Sequence, residues 1–142
     1  EAFEKKLEDI LSDVKGAGSV RVMLSLKAMI SGAVKLPTII FDEIDTGVSG
    51  KMAEKMAEIM TEMGNLNRQV ISITHLPQIA SMGTHHYKVL KEETEEGTLS
   101  HMKELYEQQR IEEIAQMLSG SDITPAALAN AKELLNKHKQ HK

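Results

Sequence analysis

The chain has 142 residues, no cysteine and a net charge of −4, from 17 Lys and Arg against 21 Asp and Glu. That length suits one domain whose core stands without metals or crosslinks, and the lack of cysteine excludes a disulfide framework or a thiolate zinc site and fits a reducing compartment. The interspersed charges are unlike the basic footprint of an autonomous nucleic-acid binder, and no apolar run approaches the roughly 20 residues of a membrane span, so a cytoplasmic chain with no membrane partner is expected.

Phe3, Leu7, Ile10, Leu11 and Val14 recur at helical spacing and predict an amphipathic first helix, interrupted by Gly16, Ala17, Gly18 and Ser19. A second helix follows over residues 21–31, apolar nearly all round and ended by Gly32. Pro37 opens the run Thr38-Ile39-Ile40-Phe41, which is too short for a helix and apolar on both faces, the pattern of a central parallel strand. Ser49 can cap a third helix with Met52, Met56, Ile59, Met60 and Met63 as its inward stripe and Gly64 and Asn65 as its stop. With nine methionines and few aromatics, such a core is aliphatic and filled in by flexible thioethers. Residues 69–74 read as a second short strand, which completes a βαβ unit with a parallel sheet and a right-handed crossover. Ligands in such sheets bind outside the carboxyl ends of the strands, where Asp42, Glu43 and His75 fall.

After Pro77 comes a short helical turn to Met82, then Gly83. Residues 85–91 and 98–105 flank the acidic "EETEEG" and predict an antiparallel hairpin at a sheet edge. Ile111, Ile114, Ala115 and Leu118 mark another helix closed by Gly120. Thr124 before Pro125 is a cap and first turn for the last helix, with Leu128, Ala131, Leu134 and Leu135 facing inward and "NKHKQHK" as a frayed basic end. His85 and His86, adjacent on a strand, point to opposite faces and do not chelate together, so one solvent-facing and one half-buried ring are expected. Neither Ser25 nor Ser72 has a base at a recognisable spacing, and no nucleophile is assigned.

An apolar strand ending in Asp42-Glu43 is the arrangement used beside bound nucleotides: the strand end fixes one carboxylate near Mg²⁺ and the next can polarise the attacking water. The bland alternative is a strand that ends on two solvated acids. His75, level with them on a neighbouring strand, could contact a γ-phosphate or hold the acid and water in place, or be a loop histidine with no role. Asp45-Thr46-Gly47 is also the turn of aspartic proteases, in which two aspartates from an all-β fold share one proton. A single copy would force a dimer there, and the helix expected directly afterwards contradicts an all-β fold. A turn residue whose side chain bonds its own backbone is the stronger rival reading of Asp45.

"PTIIFDEIDTGVSGKMAEKMAEIM" followed by "RQVISITHLPQIASMGTHHYKVLKE" closely resembles the C-terminal half of the RecN-type DNA repair ATPases, relatives of the SMC and ABC ATPases. The resemblance runs over residues 21–135, and "DEIDTGVSG" and "ITHLPQIA" are its specific motifs. It implies an α/β fold, the C-terminal lobe of an ABC/SMC-like P-loop ATPase head with a short parallel sheet flanked by helices and an antiparallel edge hairpin. It further implies a Walker B strand ending at Asp42, which would hold Mg²⁺ through water, with Glu43 as the catalytic acid and His75 as the switch histidine. The D-loop would run over residues 45–50, placing Asp45 and Ser49, like Asp42, on the cofactor side. "RVMLSLKAMI" looks like the helix that follows the ABC signature.

Two departures qualify the match. No G-x-x-x-x-G-K-[ST] occurs, so ATP would be bound and hydrolysed only together with a separate N-terminal Walker A lobe and a second subunit, as a homodimer through the nucleotide sandwich. Lys15-Gly16-Ala17-Gly18-Ser19-Val20 stands where the family's serine-glycine-glycine signature would be. Residues 1–20 are therefore read as a helix and linker, a coiled-coil remnant or an engineered joint, and residues 21–142 as the ATPase lobe. For the full-length protein the resemblance implies bacterial double-strand break repair, with DNA as partner and a nucleoid-associated cytoplasmic location. The alternatives are a non-catalytic dimerisation or interaction module and, remotely, the aspartic protease.

Overall fold

In a computed structural model the described residues are 36–48, 50–120 and 122–139. The two helices expected before residue 36, the "GAGS" segment and Ser49 lie outside them. The described chain runs β1 (Thr38–Asp42), α1 (Gly50–Asn65), β2 (Gln69–Ile73), α2 (Pro77–Met82), β3 (His86–Thr94), β4 (Gly97–Leu105), α3 (Glu107–Ser119) and α4 (Pro125–Lys139). Where one domain is expected from length, the chain divides into two compact units between Met82 and Gly83.

In the first unit β1 and β2 pair in parallel, in register from Thr38↔Gln69 to Asp42↔Ile73. The ladder continues one step further, because the Glu43 N–H donates to the Ile73 carbonyl at 3.1 Å. A parallel pair needs a crossover, and α1 supplies it. Ile39 and Phe41, the inward residues of β1, bury against Ala53, Met56, Ala57, Ile59, Met60 and Met63 of α1, with Ile79 of α2 closing the cluster. The spacing of Met56, Ile59, Met60 and Met63 keeps them on one face of the helix, as expected from the sequence. α1 carries on through Gly64 and Asn65, and the left-handed residue that turns the chain toward β2 is Asn67, at φ 61°. Asparagine tolerates that conformation better than most side chains do.

The other face of this sheet departs from expectation. Ile40 and Ile73 are each 52 % exposed and Ile71 is exposed beside them, and the sheet has two strands among the described residues. β1 therefore alternates between covered and open residues instead of being buried on both faces. An apolar run shows that both faces could be covered, not which of them this chain covers itself.

In the second unit β3 and β4 form their own antiparallel sheet, in register from His86↔Leu105 to Thr94↔Gly97. The turn is Glu95 and Glu96 alone, so both strands run into the "EETEEG" segment expected as a loop. A two-residue connection is the commonest hairpin, and Gly97, at φ 131°, takes the backbone position a side chain would resist. Lys88 pairs with Glu113, tying one face of the hairpin to α3. Ile114 and Ala115 of α3 are buried, as are Ala127 and Ala131 of α4, and the alanines let the two helices approach closely. α3 ends at Gly120, at φ 80°, as predicted. Thr124 caps α4 by accepting the Ala127 N–H on Oγ1 at 3.1 Å, with Pro125 in the first turn. The helix persists to Lys139, into the segment expected to fray.

His85 and His86 separate as the sequence predicts. His85 is exposed, with Nδ1 2.7 Å from Glu104 Oε1, and His86 is half-buried. Among the described residues no group of three His, Cys, Asp or Glu side chains could hold a metal, and no helix is long and apolar enough to cross a membrane.

Candidate functional site

The parallel pairing of β1 and β2 brings the residues singled out in the sequence to one end of one sheet. Asp42 closes β1 with its side chain exposed, and Glu43 follows, also exposed. Glu43 has a left-handed backbone, φ 46°, in which a residue with a Cβ stores roughly 1 kcal/mol or more. The turn is held from both sides: the Glu43 N–H reaches Ile73, and its carbonyl accepts the Thr46 hydroxyl at 3.2 Å. The chain then doubles back, the Val48 N–H donating to the Asp45 carbonyl at 3.1 Å and Gly47 taking φ 74°, before α1 begins at Gly50.

Asp45 is the exception in this end of the sheet, since it is only 1 % exposed. Its Oδ2 accepts the hydroxyl of Thr74, the residue just beyond β2. The same hydroxyl oxygen accepts the Leu76 N–H at 3.0 Å. The loop after β1 is thereby fastened to the loop after β2. The reading of Asp45 as a turn residue bonded to its own backbone does not match these contacts, because the turn is closed by its backbone carbonyl and its carboxylate goes to Thr74. Asp45 Oδ1 lies 3.5 Å from His75 Nδ1, whose side chain is 64 % exposed.

Asp42, Glu43, Asp45 and His75 are thus gathered at the carboxyl ends of adjacent parallel strands. Ser49 falls outside the described residues. Thr74 was missed in the sequence, although a hydroxyl directly before the histidine and level with a turn aspartate was the available signal. The protease reading fails, because α1 starts five residues after Asp45, the described chain is mixed α/β, and the aspartate carboxylate is buried.

The mixed α/β fold has a counterpart among solved structures. It matches a solved chain from work on "ATP-driven dimerization and DNA stimulated activation of SMC ATPases" with a TM-score of 0.61, over 79 % of this chain and 66 % of that one, at 16 % identity. At that identity the likeness is one of fold. No family model matches the chain. In sequence it is similar to DNA repair protein RecN of Bacillus subtilis, 40 % identical over 133 residues, 93 % of this chain and 23 % of that protein. RecN of Deinococcus radiodurans is 43 % identical over 88 % of this chain and 22 % of its own length, and RecN of Rickettsia conorii 44 % over 82 % and 21 %. The chain therefore spans under a quarter of the length of these relatives, and over that stretch it is similar to DNA repair protein RecN.

Proposed function

We propose that this chain is the C-terminal part of a bacterial DNA double-strand break repair ATPase. It would bind and hydrolyse ATP only when completed by a Walker A lobe and a second copy across the nucleotide, in a cytoplasmic, nucleoid-associated protein that acts on DNA. The observation that carries the reading is the parallel register that sets exposed Asp42 and Glu43 at the same sheet end as His75.

The residues present fit a nucleotide-bound Mg²⁺. Asp42 offers hard carboxylate oxygens at a strand end, exposed and so open to a hydrated ion, which matches the reluctance of Mg²⁺ to shed its waters. A bound Mg²⁺ would supply charge neutralisation at the phosphates. Glu43, on a rigid left-handed turn pinned to Ile73 and Thr46, would orient and polarise the attacking water. His75 would meet the terminal phosphate or that water, and Ser49 and Asp45 would belong to the loop facing the second copy.

The test is Mg²⁺-dependent ATP hydrolysis by this chain alone and then mixed with a separately produced Walker A lobe. Turnover is expected only in the mixture. No turnover from two folded and associated parts would overturn the proposal.

A further inference from the structure

The resemblance places Asp45 on the cofactor side, yet its carboxylate is 1 % exposed and turned inward, so in this arrangement it offers a ligand almost nothing. Its two oxygens are unequally used. Thr74 Oγ1 accepts the Leu76 N–H, which leaves its one hydroxyl hydrogen for the acceptor-only carboxylate, and Oδ2 receives it. Oδ1 is buried and, among the described residues, has no hydrogen-bond partner. A buried carboxylate oxygen left without a donor is costly, and His75 Nδ1 lies 3.5 Å from it. That distance is longer than a formed N–H···O bond, but the His75 ring is 64 % exposed and has room to swing, whereas Asp45 is fixed by Thr74. Contacts of this kind are commonly long before a ligand is bound and close when it arrives.

We infer that Asp45 is a positioning residue for His75: its buried carboxylate takes the Nδ1 hydrogen, setting both the plane of the ring and its tautomer. A neutral imidazole carries one N–H, so a hydrogen held at Nδ1 leaves Nε2, on the far side of the ring, as the atom presented outward. In the neutral ring that nitrogen accepts a hydrogen from water, and only a doubly protonated ring can donate from it to an anionic oxygen. The functional consequence rests on the nucleotide reading of His75, but the tautomer does not.

The deciding experiment is nitrogen-15 NMR of the His75 ring in this 142-residue chain, at a pH where the ring is neutral. The expected result is the Nδ1–H form in the unaltered protein and a reversion toward Nε2–H, the form a free imidazole prefers, in Asp45→Asn. A His75 ring that is Nε2–H in the unaltered protein would overturn the inference without recourse to any variant, so a variant that fails to fold does not leave the matter open. In the reassembled ATPase, Asp45→Asn should lower kcat about ten-fold or more with KM little changed, as loss of an orienting partner does elsewhere. Unchanged kcat alongside a switched tautomer would refute the catalytic consequence alone, and an inactive reassembled protein with the Nδ1–H form intact would count against the nucleotide reading instead.

Discussion

In the second unit the acids near a base or hydroxyl are tied down. Glu113 is held by Lys88, Glu92 lies 3.1 Å from the His101 ring, and Glu104 receives the Tyr106 hydroxyl and the His85 ring, which together hold its carboxyl below the usual range. Among its described residues the first unit keeps one buried acid, Asp45, and leaves Asp42 and Glu43 open to solvent at the sheet end. Acids that hold structure are paired, and the acids proposed to face a ligand stay exposed at the sheet end. Substitutions at the open acids should therefore register in chemistry, and substitutions beneath them in stability.

The largest effect is expected at Glu43. In the reassembled protein Glu43→Gln should leave nucleotide binding intact and lower turnover by about 10²–10⁴-fold, the range for loss of a positioned general base. The same change should move the urea midpoint of this chain very little, since an exposed side chain is lost with the backbone turn preserved. Normal turnover would remove Glu43 from the mechanism.

Next comes the frame itself. Phe41 is fully buried between β1 and α1, so Phe41→Ala should destabilise the chain by about 3–5 kcal/mol, read from urea unfolding followed by circular dichroism. A cost below about 1 kcal/mol would mean that the sheet end is not carried by this core. A smaller effect of opposite sign is expected from Glu43→Gly. Glycine removes the left-handed strain of roughly 1–2 kcal/mol but adds unfolded-chain entropy of roughly 0.5–1 kcal/mol, leaving a gain of at most about 1.5 kcal/mol. Destabilisation instead would show that the Glu43 side chain holds structure, and would erase the contrast with Glu113 and Glu104.

These expectations depend on features of unequal legibility. The βαβ unit could be read because Ile39, Phe41 and the methionine stripe of α1 obey strand and helix periods, and the parallel register then follows from the crossover. The gathering of Asp42, Glu43 and His75 was legible for the same reason. The direction of the Asp45 carboxylate was not, because a turn aspartate has the same sequence whether it faces solvent or a hydroxyl on a neighbouring strand. The exposure of Ile40, Ile71 and Ile73 was equally hidden, since hydrophobicity records what a surface could bury and not what covers it. The hairpin was placed correctly and cut short: its tip is mostly acidic and ends on a glycine, but cross-strand partners such as Thr98 and Glu93, whose side chains meet at 3.0 Å, carry the strands to the tip.

The smallest effect tests the tied side of the contrast through pH. Burial lowers the His86 pKa from its ordinary 6.5, the Arg110 guanidinium lowers it further and Lys88 adds to this, while Glu113 opposes them. His86 Nδ1 is buried with no hydrogen-bond partner among the described residues, so a proton there would put charge on a ring already facing two cations. A depressed folded-state pKa means that below 6.5 the unfolded chain takes up a proton the folded chain resists, so the contribution is full above that pH and is lost as pH falls through the folded value. Urea midpoints should accordingly drop as pH is lowered below 6.5, and His86→Gln, which cannot take up that proton, should make the drop shallower. An equally steep drop in the variant would assign the acid sensitivity to the paired carboxylates, whose partners are lost on protonation, and would show that the hairpin is held by its acids more than by the neutrality of its buried ring.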